Sequence, residues 1–299
     1  MIDFKPIALA DKALFDNTLA GNTRASSEHS FATIMSWHSF FATQIAIVAD
    51  CIVLAYTDIK GRQCFVQPMG NGDKIQAVRE LMLYANEQKQ PLILGSVSEA
   101  FYKQLQVAFD KKMQFELIRN MAEYVYLRER LTNLKGSKLQ PKRNHINKFC
   151  KLYPNHHTEF ITTQNASLCK ELYALWLNQV SSRDEDKNEL HGEQQAVNFA
   201  LDNFNYLNLK GITLWVDNTM VAFAFGEMVT NDTFLTHAEK ALTSYEGSYA
   251  MINKLTAQLV ATEAIYINRE EDLGLEHLRK AKLSYDPAFL IEKGFVVFE

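Results

Sequence analysis

Short apolar runs alternate with amphipathic stretches along most of this chain. In the first half, Phe4 to Ala8 reads as an opening strand, followed by helices over Asp11–Asn17 and Phe31–Phe41. Ile45–Val48 and Cys51–Tyr56 read as paired strands, and Gln63–Gln67 as a third after the Lys60-Gly61 turn. Pro68 to Gly72 closes that strand, and Asp73 is placed to cap a helix running to about Gln88. Pro91–Leu94 is a strand, Ser98–Phe109 a helix, and Phe115–Ile118 and Glu123–Leu127 are further strands. The second half repeats the order. Glu159–Thr163 is a strand, and Ser167–Val180 and His191–Phe204 are helices separated by an acidic loop with Asp184, Glu185, Asp186 and Glu189. Three strands follow, Gly211–Val216, Thr219–Phe225 and Thr233–Ala238, with Asp217-Asn218 as a hairpin turn. A helix over Gly247–Ala261 and a last strand, Phe295–Phe298, complete the pattern, which predicts α/β architecture with mixed sheets.

Between those last two elements lies the chain's most informative turn. A short apolar strand, Ala264–Ile267, gives way to Asn268-Arg269-Glu270-Glu271-Asp272, and a helix carrying Leu275, Leu278 and Ala281 follows. Asp272 is placed to cap that helix, and Tyr285-Asp286-Pro287 ends it. An acidic first turn suits a helix dipole, which accounts for Glu271 and Asp272. It does not account for Asn268-Arg269 at a strand's C-terminal end, where open α/β sheets place their ligands.

The composition narrows the compartment and partners. In 299 residues, 47% are apolar and 22% charged, enough to bury real cores, and the net charge of −4 gives no general attraction to nucleic acid or anionic lipid. No apolar run reaches the ~20 residues a membrane span needs. Met1 to Lys5 lacks the features of a signal peptide, and the location expected is cytoplasmic. Cys51, Cys64, Cys150 and Cys169 are too scattered for a metal site or a disulfide framework, so no metal is expected. Leu134 to Tyr153 breaks the alternation. It carries Lys135, Lys138, Lys142, Arg143, Lys148 and Lys151 without an acid, and Pro141 sits where a helix could begin. This is the expected connector, either a solvated basic helix or a surface for phosphate or nucleic acid, with Arg143, Asn144 and His145 as candidate ligand contacts.

The element order of the second half is similar to that of a GNAT-type N-acyltransferase. Arg143–Phe149, Phe225-Gly226-Glu227, Glu239-Lys240-Ala241 and the stretch from Asn268 to Pro287 resemble the family named for the C-terminal domain of phosphatidylglycerol lysyltransferase. Gln67-Pro68-Met69-Gly70 and the Phe31–Trp37 segment extend the resemblance over nearly the whole chain. It implies two tandem GNAT-like domains, a degenerate one over residues 1–135 and one over 136–299 that carries the site. It further implies a soluble acyl- or aminoacyltransferase. The donor would be acyl-CoA or a charged tRNA, and the acceptor an amine or hydroxyl on a small molecule or lipid head group. The expected catalytic residues are Glu239 or Glu270 as base, Asn268 or a backbone N–H at the oxyanion, and Tyr285 at the leaving group. Arg269, Arg279, Lys240 and Lys282 are expected to hold a phosphate or carboxylate, and Glu239, Asn268, Arg269, Glu270, Arg279, Lys282 and Tyr285 to converge on one pocket that Arg143, Asn144 or His145 reaches from the connector. The resemblance places the donor's pyrophosphate at Ser244–Ala250, including Gly247 and Tyr249, but that stretch has one glycine where the GNAT pattern Gln/Arg-x-x-Gly-x-Gly/Ala has two. A second reading, from another class, is a non-catalytic protein that binds a nucleotide or small phosphate-bearing ligand between its domains.

Overall fold

A computed structural model of the protein describes residues 2–19, 21, 25–110, 112–180 and 187–298, so the acidic loop expected at Asp184, Glu185 and Asp186 lies outside the described residues. The chain forms two compact units. The first comprises Met1–Arg24, Glu28–Ala122 and Ile291–Glu299, and the second Ala25–Ser27 and Glu123–Leu290.

In the first unit the elements run β1 (Lys5–Pro6), α1 (Lys12–Thr18), α2 (Phe31–Trp37), β2 (Gln44–Val48), β3 (Cys51–Thr57), β4 (Gln63–Val66), α3 (Lys74–Glu87), β5 (Ile93–Val97), α4 (Glu99–Ala108) and β6 (Met113–Leu117). The second unit holds β7 (Glu123–Leu127), α5 (Arg128–Asn133), α6 (Gln140–Leu152), β8 (His156–Phe160), α7 (Ala166–Val180), α8 (Lys187–Asp202), β9 (Lys210–Val216), β10 (Thr219–Met228), β11 (Thr233–Ala241), α9 (Ser248–Leu255), β12 (Tyr266–Asn268), α10 (Glu276–Leu283) and β13 (Phe289–Ile291). The last strand, β14 (Gly294–Phe298), returns to the first unit.

Each unit has a mixed seven-stranded sheet, ordered β1-β2-β3-β4-β5-β14-β6 and β13-β7-β12-β11-β10-β9-β8. Both contain an antiparallel three-strand meander, then a helix, then a strand that pairs parallel with the meander's last strand: β4 with β5, and β11 with β12. That shared order makes the fold two GNAT-like units in tandem. Local chemistry builds these elements much as the sequence predicts. The Asp73 carboxylate accepts a hydrogen bond from Gln76 N–H at 2.9 Å, and Ser98 caps α4. Ala77, Leu81 and Ala85 recur at helical spacing on the buried side of α3. Proline occupies the first turn of α6, where its missing N–H leaves no hydrogen bond unmade.

The sequence reading divides the chain after residue 135, whereas the packing groups residues 123–135 with the second unit and the last nine with the first. The reason lies in the sheets. β7 pairs antiparallel with β12, Ile267 opposite Tyr126, while β14 fills the slot between β5 and β6. Buried Lys293 fixes this return, its ammonium bonding the Glu28 carboxylate that also accepts from Ser96 Oγ at 2.7 Å. Burial would raise Glu28, but Lys293 outweighs it and holds the carboxyl at about 2. The four cysteines are free. No described helix is long and apolar enough to cross a membrane.

Candidate functional site

In the second unit, β12 brings the chain to Asn268, level with Leu235 on β11. The backbone then turns through Glu270, whose φ is +55°. Two buried side chains hold this turn. Asn268 donates to the Ala25 carbonyl at 2.8 Å and to the Glu123 carboxylate, and its own carbonyl accepts from Glu270 N–H at 2.8 Å. Lys282 reaches in from α10 and donates to the carbonyls of Arg269 at 2.6 Å, Glu270 at 3.1 Å and Glu271. Burial, and then the neighbouring Arg269, lower Lys282 to about 8.

The turn delivers Arg269 to Glu239 on β11. Arg269 Nη2 meets Glu239 Oε1 at 2.7 Å, with both side chains largely buried. The other carboxylate oxygen accepts from Asn253 Nδ2 of α9 at 2.9 Å. The guanidinium lies over two tyrosine rings, 4.9 Å from the centroid of Tyr285 and 5.6 Å from that of Tyr126. Lys142, on α6, places its ammonium 4.1 Å from the same Tyr285 ring centroid. Two buried polar atoms in this group have no hydrogen-bond partner among the described residues: Arg269 Nη1 and Asn253 Oδ1.

The other expected residues do not join this cluster. Arg279 forms a bidentate pair with Asp272, at 2.8 and 3.0 Å, while Tyr124 donates to the same carboxylate at 2.6 Å and Gly274 N–H at 2.9 Å. Asp272 is therefore no helix cap, and α10 begins only at Glu276 with Leu275 in the cap position. Glu270 turns to His237 instead, 3.3 Å from Nδ1, and Glu227 stands 3.2 Å from Nε2. Lys240 follows Glu239 on the strand and so faces the other way. It pairs with Glu193 at 2.8 and 3.0 Å, with its ammonium 3.7 Å from the Trp176 ring centroid. Trp176 in turn donates to the Tyr249 hydroxyl at 2.7 Å. Arg143 closes the α5–α6 turn by donating to the carbonyls of Leu134 and Gly136, and Asn144 and His145 are exposed.

Two of the residues expected to act in catalysis have their polar atoms engaged within the described residues. Asn268 has its amide nitrogen and oxygen engaged within the protein, which fits it to hold the turn rather than an oxyanion. Glu239 has both carboxylate oxygens engaged, by a guanidinium and an amide, so it serves as an anchor for Arg269 rather than a free base. Beside them the geometry brings Lys142 and Asn253 into the cluster. Lys142 was legible: with Ile146 and Phe149 it falls at i, i+4 and i+7, a cation on the apolar stripe of α6. Asn253 is the one amide in the otherwise apolar middle of α9.

Gly247 has a steric task. It sits at φ +90° before α9, and a Cβ there would lie 2.4 Å from the His145 carbonyl oxygen and 2.9 Å from Phe149 Cβ. Helix α6 therefore packs directly on the loop where the resemblance places a pyrophosphate. Tyr245 of that loop packs against Tyr153, their ring centroids 5.3 Å apart, and Glu246 pairs with Lys148 at 2.7 Å. The two-glycine spacing missing there occurs in the first unit, in Gln67-Pro68-Met69-Gly70-Asn71-Gly72 before α3. Its parts are committed to packing as well: Gln67 accepts from Ser98 N–H at 3.1 Å, and a Cβ on Gly72 would be 2.3 Å from the Ala49 carbonyl oxygen.

A mixed sheet of this order is that of a GNAT-like unit. Residues 20–297 match the family described as "Phosphatidylglycerol lysyltransferase, C-terminal", and the chain belongs to that family. It is 37% identical to a conserved protein of unknown function from Bacteroides thetaiotaomicron, whose crystal structure superposes with a TM-score of 0.93 over 100% of both chains. The fold is shared with the C-terminal domain assigned to a lysylphosphatidylglycerol synthetase of Agrobacterium fabrum. There the TM-score is 0.66 at 13% identity, covering 97% of this chain and 92% of that one. An uncharacterised protein of Mycoplasmoides gallisepticum is 24% identical over 189 residues, a match spanning 62% of this chain and 59% of that protein. Family and fold are those of an acyltransferase of the lysylphosphatidylglycerol synthetase type.

Proposed function

We propose that this protein transfers an aminoacyl group from a charged tRNA to an amine or hydroxyl acceptor, and that the transfer takes place beside the Arg269–Glu239 pair. The observation that carries the reading is the open hydrogen-bonding capacity there. A buried donor or acceptor left unpaired costs on the order of 1–3 kcal/mol, and Arg269 Nη1 and Asn253 Oδ1 are such a donor and acceptor, attached to one carboxylate. An aminoacyl ester offers the complement, a carbonyl for the guanidinium and an ammonium for the amide oxygen. As the carbonyl becomes tetrahedral its oxygen gains charge, which the fixed guanidinium stabilises more than it stabilises the ground state.

The choice of donor rests on the α9 loop. With α6 packed on Gly247, that helix start offers a coenzyme A pyrophosphate little room. The exposed Lys135 and Lys151 of the connector suit a polyanionic donor instead. The test offers the protein radiolabelled aminoacyl-tRNA pools and acyl-CoA pools with mixed amine and hydroxyl acceptors, and follows deacylation above the spontaneous rate. Transfer from aminoacyl-tRNA is expected, slowed by about 10²–10³-fold in Arg269→Lys, a typical effect of removing an oxyanion donor. Transfer from acyl-CoA alone would refute the choice of donor, and no transfer from either pool would refute the activity.

A further inference from the structure

A transfer at Arg269 needs a group to take the acceptor's proton, and the two carboxylates named for that task are occupied. Glu239 is held by Arg269 and Asn253, and Glu270 stands against His237. We infer that Lys142 is the proton acceptor of the reaction, its amine standing over the Tyr285 ring that also carries the Arg269 guanidinium. The inference rests on the transfer reading above and adds a residue to it.

Lys142 differs from the other lysines around the site. Lys282 is bound by three carbonyls, Lys240 by Glu193, Lys138 by Asp286 and Lys148 by Glu246. Lys142 has no hydrogen bond or ion pair with any described residue; its contact is the aromatic face. The groups that face it are Tyr285 after α10, Arg269 after β12 and Glu239 on β11, while on its own helix Lys138 turns to Asp286 and Arg143 to the Leu134 and Gly136 carbonyls. Partial burial, followed by repulsion from Arg269, lowers its amine to about 8, against a smaller opposing pull from Glu239. A cation whose neighbour is a second cation, with no anion bonded to it, is a lysine set up to be neutral part of the time.

The proton balance closes with this one residue. The neutral Lys142 amine takes the proton released as the acceptor's nitrogen or oxygen attacks the ester carbonyl, and Arg269 Nη1 meets the resulting oxyanion. On collapse the bond to the tRNA ribose oxygen breaks, and the Lys142 ammonium returns its proton to that oxygen. The lysine ends as it began, and acceptor and donor have exchanged one acyl group for one proton.

Two measurements decide the matter. The first needs no substrate: brief labelling of the intact protein with acetic anhydride across pH 6.5 to 11, read by peptide mass spectrometry. Lys142 is expected to label with a midpoint near 8, while exposed Lys135 and Lys151 follow the ordinary lysine curve; a Lys142 midpoint above 10, or no labelling, overturns the inference. The second compares transfer by wild type, Lys142→Met and Lys142→Arg. Lys142→Met should lose about 10²-fold or more in kcat with little change in KM for the donor, Lys142→Arg should be no better, and added ethylamine should restore part of the Met variant's rate. Full activity of Lys142→Met beside an active wild type overturns the role of Lys142 and leaves the transfer reading standing. A wild type that transfers nothing takes both down, whatever the labelling shows.

Discussion

Replacing His237 by glutamine should remove a pH-dependent part of the second unit's stability. The imidazole lies between two carboxylates, 3.3 Å from Glu270 and 3.2 Å from Glu227, with its side chain only 10% exposed. Burial alone would favour the neutral ring; the hydrogen bonds to Glu227 and Glu270 outweigh it and raise the group from 6.5 to about 9. At 1.36 kcal/mol per unit, that shift corresponds to roughly 3 kcal/mol of preference for the folded state by the protonated ring. The sign follows from the direction. Below pH 6.5 the ring is protonated in folded and unfolded chains alike, and the full contribution is present. It declines as the pH rises, and is lost as the folded ring titrates through about 9. Urea unfolding at pH 6, 8 and 10, followed by tryptophan fluorescence and by hydrogen exchange of the second unit, should show His237→Gln less stable by about 3 kcal/mol at pH 6 and nearly equal to wild type at pH 10. The difference between the two proteins cancels the titration of Lys142, Lys282 and other groups. Parallel pH profiles for the two proteins, or an imidazole NMR titration of His237 near 6.5, would refute the reasoning.

Other substitutions test the packing around the site and the strand return. Gly247→Ala should cost about 1–3 kcal/mol, from its positive φ and the His145 carbonyl 2.4 Å from the new Cβ, seen as a lower midpoint in thermal unfolding. Lys293→Met leaves Glu28 buried without its cation, and a loss of about 3–5 kcal/mol is expected near pH 7, partly recovered as acid protonates the carboxyl. Lys282→Met strips a shared donor from three carbonyls. Amides of residues 269–271 should then exchange at least tenfold faster while those of β9 and β10 stay protected; unchanged exchange would show that the turn holds itself.

Much of the fold is legible in the sequence because it is local. The strands Ile45–Val48 and Cys51–Tyr56, the Asp73 cap, and Pro141 at the start of α6 are each specified within a few residues. The destination of β14 is not. Gly294–Phe298 reads as a strand anywhere, and its choice of the slot between β5 and β6 depends on Glu28, more than two hundred and fifty positions away. The candidate site divides in the same way. Arg269 and Glu239 are legible as partners because β11 and β12 bring them together in any GNAT-like order. Asp272 misleads because an acid before a helix looks the same whether it caps the helix or receives an arginine from its second turn; here Arg279 and Tyr124 take it. Asn268 is harder to read for a related reason: an amide at a strand end signals a ligand or a backbone turn, and its partners Ala25 and Glu123 lie far off in the chain.

What separates a site from a scaffold in the second unit is how completely its buried charges are satisfied. Asp272 has Arg279, Tyr124 and Gly274; Glu193 has Lys240 and Tyr173; Lys282 has three carbonyls. Each of these sets is closed, and a closed set fixes geometry without inviting a ligand. Around Glu239 the set is open. Arg269 is anchored by one nitrogen and unpaired at another, Asn253 by its amide nitrogen and unpaired at its oxygen, and Lys142 rests on a ring with no anion bonded to it. The closed sets lie next to the open one and restrict it: Lys282 holds the turn that aims Arg269, and Lys240 ties the same strand to α7 and α8 from its other face. A rigid surround with an open centre is what preorganised electrostatic catalysis requires, because donors already held in place need not reorganise when charge develops. On that ground we place the proposed chemistry with Arg269, Asn253 and Lys142, and read the ion pairs around them as its frame.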